Sequence, residues 1–284
     1  MFKDDNGIFV SDKSQTIGLE FHEKRGKPAL LRALTNDPTH QINWETPYYN
    51  TFIDECLEGL DLSNKVCLDL GCSDGRFTEY LIKKGVKKVI ALDADYQPLY
   101  DLSQYCEEEG FREKVQLIHG GAENIPIDDN SVDIVLALGV YYYLGEQQEK
   151  GIQETYDKMK RGGILISSEP NLEGMALKSL LFDSLDEMIE NFTNNDFREG
   201  KNNMKYRFPL YEEADLLLLY GDVGFEFKNK KGLSLFHQII RIMYVKGMIT
   251  KEDLTKNLNK LREIFDYLDG NGYIYKTLMY KHIK

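Results

Sequence analysis

The 284-residue chain carries 35 basic against 47 acidic side chains, a formal net charge of −12, so its field repels a polyanion and makes DNA or RNA a poor partner. Its length suffices for one enlarged domain or a domain with a smaller cap, and nowhere do about 18 apolar residues run together, as a membrane span needs. Four cysteines, at 56, 67, 72 and 106, form no C-x-x-C pair and have no His at metal-ligand spacing; this disfavours a zinc site and a disulfide framework and fits a cytoplasmic protein.

Residues 1–64 read as a leader. MFKDDNGIFVSDKSQ lacks a secretory pattern and looks mobile, while TPYYNTFIDECLEGL resembles one amphipathic helix packing on the core. From 65 to 170 short apolar runs alternate with amphipathic ones: VCLDL then FTEYLIKK, KVIALD then PLYDLSQYC, VQLIHG, then VDIVLAL, QEKGIQETYDKM and ILISSEP. That alternation predicts an α/β fold, a parallel sheet covered by helices on both faces. Residues 211–231 add a helix and a short strand, Phe225 to Lys228, and 270–284 a last strand. Between them, 171–210 and 232–269 carry helical spacings such as Leu254, Leu258, Leu261, Phe265 and Leu268, expected to form a helical cap.

The sharpest feature is LDLGCSDG, where an apolar strand ends on Asp69 and turns through Gly71, Ser73, Asp74 and Gly75 into a helix. Such a turn presents backbone N–H groups to a ligand at the carboxyl end of a strand. Ser73 stands where a dinucleotide fingerprint has its second glycine, and Phe77 lies beyond its third. A nicotinamide-dependent oxidoreductase is therefore the less favoured reading. Two acids at the turn suit a ligand with cationic groups better than a pyrophosphate.

The stretch VCLDLGCSDGRF resembles the first motif of the class I S-adenosylmethionine-dependent methyltransferases, and VIALDADYQPL, HGGAENIPIDDNSVDIVLALGVYYYL and MKRGGILISSEP come after it in that family's order. The resemblance implies a Rossmann-like, mainly parallel seven-stranded sheet with a reversed last strand, and S-adenosyl-L-methionine as cofactor. It implies that Asp93, followed by Ala94, takes the ribose hydroxyls, since a carboxylate offers only acceptors. Where the family has Gly-Asp-Ala beside the adenine, this chain has Gly120, Gly121 and Ala122, with Glu123 or a backbone carbonyl left to meet the adenine amine. Leu138 and Gly139 would contact the methionine part through their backbone.

In-line methyl transfer needs positioning, exclusion of water and, for a hydroxyl, removal of a proton. LGVYYYL lacks the Asn/Asp-Pro-Pro-aromatic pattern of nucleic-acid amino methylation, and Leu138, Gly139 and Val140 lack the acid of a metal-assisted mechanism, so no metal is expected. The expected acceptor is a small molecule methylated at oxygen or nitrogen. Tyr142, His237 and Glu169 are the catalytic candidates, and Tyr49 and Tyr143 the substrate-contacting ones. The ordinary alternatives are core packing for Tyr142 and Tyr143, a helix-surface position for His237, a hydrogen bond to a loop for Glu169 and anchoring of the first helix for Tyr49. The competing reading is a non-catalytic S-adenosylmethionine-binding partner or sensor. Sequence leaves the oligomeric state open.

Overall fold

The computed structural model describes residues 2–11, 36–172, 174–176, 179, 184–195, 197–199, 206–208, 211–234, 236–269 and 275–284. In chain order these form β1 (Phe2–Lys3), β2 (Ile8–Val10), α1 (Gln41–Leu57), β3 (Val66–Leu70), α2 (Arg76–Lys83), β4 (Lys88–Asp93), α3 (Tyr96–Glu108), β5 (Val115–His119) and β6 (Val132–Leu138). A 3₁₀ turn (Tyr141–Gln147) leads into α4 (Gln148–Lys158) and β7 (Met159–Pro170). Then come α5 (Leu185–Asn194), β8 (Phe197–Glu199), β9 (Tyr206–Phe208), α6 (Glu213–Val223), β10 (Glu226–Ser234), α7 (Phe236–Val245), α8 (Lys251–Asp269) and β11 (Tyr275–Ile283).

The main sheet runs β1-β2-β5-β4-β3-β6-β7-β11-β10. Strands β3 to β7 pair in parallel, and β11 is antiparallel to both neighbours, so the reversed last strand is present. Successive strands step away from β3 on one side to β5, then resume with β6 on the other. The order thus reverses between β3 and β6, where a parallel sheet opens a crevice for a ligand.

Period-two alternation sorts the strands' side chains. Cys67, Val89, Ile134, Ile166 and Met279 pack with Trp44 and Phe52 of α1, Leu81 of α2 and Leu254 of α8. Leu68, Ile90, Val135, Leu165 and Tyr280 face Ile152 of α4 and Leu216 and Tyr220 of α6. Leu99 and Leu102 of α3 cover Ala91 and Leu117.

The sheet has nine strands rather than seven. The additions are β1 and β2, inside the stretch expected to be mobile. Gly7, at φ 74°, closes their turn, Asp4 Oδ1 accepts from the Asn6 and Ile8 amides, and β2 pairs in parallel with β5, Ile8 opposite Leu117. That partner lies too far along the chain for local composition to reveal it. The cap segments also differ from expectation. Residues 171–210 hold a β8–β9 hairpin besides helix, its β9 strand against the 141–147 turn. Strand β10 continues to Ser234, past the expected end at Lys228, because β11 pairs along its length.

Helix α1 begins at Gln41, well before the expected start, and runs through Pro47. Proline has no N–H to give the carbonyl four residues back; that carbonyl, of Asn43, instead accepts from Arg262 Nη2 at 3.0 Å. Arg262 also lies over the Trp44 ring at 5.9 Å, joining α8 to the start of α1. Among the described residues no helix is long and apolar enough to cross a membrane.

Candidate functional site

The glycine turn is shaped by three left-handed residues, Gly71 (φ 68°), Ser73 (φ 49°) and Gly75 (φ 88°). Two of these positions have no room for a side chain. A Cβ on Gly71 would lie 2.7 Å from Val140 Cγ2, and one on Gly75 2.3 Å from Leu102 Cδ1. The Gly71 and Cys72 amides both donate to Leu92 O, at 2.8 and 3.1 Å, which sews the turn to the end of β4. Gly71 itself stays exposed at the mouth of the crevice.

Asp93, at the end of β4, accepts from the Ser73 amide through Oδ2 at 2.7 Å and from the Asp95 amide through Oδ1 at 2.8 Å. A carboxylate oxygen accepts more than one hydrogen bond, so both can also meet a ligand hydroxyl. Asp95 caps α3, and the Ala94 carbonyl meets His119 Nε2 at 3.0 Å.

Asp69 is buried and accepts from Thr78 Oγ1 at 2.6 Å; burial raises its carboxyl to about 7. It ties β3 to α2. Asp74 is buried too. Near both acids lies Arg76, unmarked by sequence reasoning although it directly follows the turn. Its guanidinium sits 4.3 Å from the Phe77 ring centroid and 5.7 Å from that of Tyr49, and Nη1 donates to Thr46 Oγ1. Part of the acidic charge that suggested a cationic ligand is thus answered within the protein.

The loop after β5 is anchored by the Gly120 amide on Asp93 O at 2.9 Å. Ala122 and Glu123 are buried. Both carboxylate oxygens of Glu123 lie 2.2 Å from where a Cβ on Gly121 would stand. The Glu123 carboxylate therefore occupies the side-chain space of residue 121, the position at which the family pattern has aspartate.

Leu138 ends β6, and Gly139 follows at φ 76°. The Tyr142 hydroxyl lies 3.6 Å from the Cβ position of Gly139, so this tyrosine folds back over the end of β6. Its ring packs against Tyr143 at 4.1 Å between centroids. Tyr141 is core, donating to Thr155 Oγ1. The Tyr49 hydroxyl is 3.4 Å from Ser168 Oγ, bringing α1 to the end of β7; Ser168 gave no signal in sequence.

Glu169 is 3% exposed. It accepts from Tyr220 OH at 3.1 Å and from the Tyr142 backbone amide, and burial raises its carboxyl to about 8. At neutral pH it holds the tyrosine turn as a neutral acid. His237 lies on α7, and its side chain is outside the described residues.

A parallel sheet whose order reverses at β3, a glycine turn on that strand and an acid closing the next define the Rossmann-like class I methyltransferase fold. Residues 68–167 match the family described as methyltransferase domain. It is 30% identical over 114 residues to the ribosomal protein L11 methyltransferase of Shewanella halifaxensis, covering 40% of this chain and 36% of that protein. The match thus spans little more than a third of that relative's length. Among solved structures, the 4+2 cyclase SpnF aligns at a TM-score of 0.57 and 14% identity over 88% of this chain and 85% of its own. A SAM-dependent methyltransferase from Methanosarcina mazei aligns at 0.56 and 14% over 82% and 96%. These structural likenesses show the fold.

Proposed function

We propose that the chain is an S-adenosylmethionine-dependent methyltransferase that acts in line, without a metal ion, on oxygen or nitrogen of a small-molecule acceptor. The observation that carries this reading is the 2.7 Å bond from the Ser73 amide to Asp93 Oδ2, which makes the glycine turn and the ribose acid two walls of one crevice. The bound donor supplies a sulfonium methyl group.

The chain's own residues then have distinct tasks. Gly71, Ser73 and Gly75 shape the cradle, and Asp69 and Asp74 set its charge against Arg76. Asp93 and Ala94 face the ribose, Ala122 and Glu123 the adenine, and Leu138 and Gly139 the methionine backbone. Tyr142, Tyr143 and Tyr49 line the acceptor side, and Glu169 positions the turn that carries the first two. The β8–β9 hairpin against that turn supports an enclosed acceptor.

A second reading, a protein acceptor, is favoured by the name of the Shewanella halifaxensis relative. The cyclase among the structural neighbours likewise keeps a role without methyl transfer in view. Two measurements test these readings. Calorimetry with S-adenosylhomocysteine is expected to show binding that Asp93→Ala weakens by at least about tenfold, from lost charge-assisted hydrogen bonds; unchanged affinity removes Asp93 from the site, and displacement by NADH instead would favour the oxidoreductase. Incubation of a cell extract with methyl-labelled donor is expected to place label in the small-molecule fraction, and label confined to protein would select the second reading.

A further inference from the structure

We propose that the amino-terminal hairpin completes the donor site, with Ser11 and Glu123 together accepting the two hydrogens of the adenine 6-amino group. The inference deepens the donor reading above and rests on it. Strand β2 runs parallel to β5 with Val10 opposite His119, and the Ser11 amide donates to His119 O at 3.0 Å. Ser11 therefore stands one residue past the last ladder pair, on the carboxyl rim where ligands bind.

Two adjacent glycines organise the pair. Ser11 is buried, and its Cβ lies 3.5 Å from the Cβ position of Gly120, whose amide in turn holds Asp93 O. On Gly121 the Glu123 carboxylate is folded back. Glu123 is 3% exposed, and its Oε1 has no hydrogen-bond partner among the described residues. A buried acceptor left without a donor is unfavourable, and a ligand N–H relieves it. The family's aspartate is missing at residue 121, yet its neighbours bring a hydroxyl and a carboxylate to the same loop.

The hairpin is held firmly enough to serve. The Tyr96 hydroxyl donates to Asp4 Oδ2 and accepts from Asn6 Nδ2 at 2.9 Å. Ser103 Oγ donates to Asn6 O, and Arg112 Nη2 to Gly7 O. The Tyr96 ring meets His119 edge-on at 5.6 Å, and His119 contacts the Ala94 carbonyl. The hairpin is thereby clamped to α3 and to both ends of β5, beside the loop after β4. An exocyclic amine gives two N–H donors, and a hydroxyl and a carboxylate both accept them; a 6-oxo purine would set its carbonyl against Glu123.

Calorimetry on the whole chain tests this with S-adenosylhomocysteine and its analogue in which hydrogen replaces the 6-amino group. Ser11→Ala is expected to lower affinity for S-adenosylhomocysteine about 5- to 10-fold and leave the analogue's unchanged, as for one lost hydrogen bond. Glu123→Ala should narrow the same ratio, and Ser11→Thr, which keeps the hydroxyl, should preserve it. A ratio unaltered by Ser11→Ala, or an equal fall for both ligands, overturns the hairpin's role while leaving the donor reading standing. Wild-type protein that binds neither ligand removes both.

Discussion

Burial holds the Glu169 carboxyl near 8 against an ordinary 4.5, which ties its protonation to stability. An unfolded chain releases that proton near the ordinary value, so between about pH 4.5 and 8 the native state binds more protons, and stability falls as pH rises by at most about 1.4 kcal/mol per unit. Asp69, raised to about 7, adds a fall of the same sign over a window ending near that value. Glu169→Gln is expected to flatten the decline, followed as thermal midpoint across this range; identical slopes in the two proteins would deny Glu169 the effect. Gly71 offers a second test at this scale. Gly71→Ala meets both a positive φ and the Val140 side chain, and is expected to cost about 1–3 kcal/mol in denaturant unfolding. Val140→Ala should recover the steric part but not the backbone strain. The sequence marked Gly71, Asp93 and Tyr142 because their residue types carry the chemistry. It did not mark Arg76 or Ser168, whose places depend on which distant helix or strand end packs against them.

Among elements, legibility followed the range of the contacts. Strands β3 to β7 stood out as apolar runs because both their faces are buried, and their helices stood out by spacing. Helix α1 extends five residues before the expected start at Thr46 and runs through Pro47, and the donor that meets the freed Asn43 carbonyl, Arg262, comes from the far end of the chain. A double-mutant cycle probes this geometry. Arg262→Ala is expected to cost about 1–2 kcal/mol in the wild-type background and less when Pro47→Ala has restored an amide for the Asn43 carbonyl. Additive effects in chemical unfolding would show that the two substitutions act independently. The first two strands and the β8–β9 hairpin were illegible for a related reason: they are short, and their identity is conferred by the partner they lie against rather than by their own composition.

For the molecule as a whole, the strand-end sequence Leu138-Gly139-Val140, without an oxygen-bearing side chain, favours positioning over metal-assisted catalysis. Turnover is accordingly expected to persist in excess chelator; activity lost and then regained with magnesium would contradict this. The sheet also sets an order of assembly. Strand β2 is synthesised long before β5, yet Ile8 must find Leu117, and closing so long a loop is entropically slow compared with pairing neighbours. Until it does, the outer edge of β5 is open to any strand, including the same hairpin from a second chain. Strand β2, translated before β5, is thus among the last to dock, and at high concentration two refolding molecules have a route to exchanging the β1–β2 hairpin.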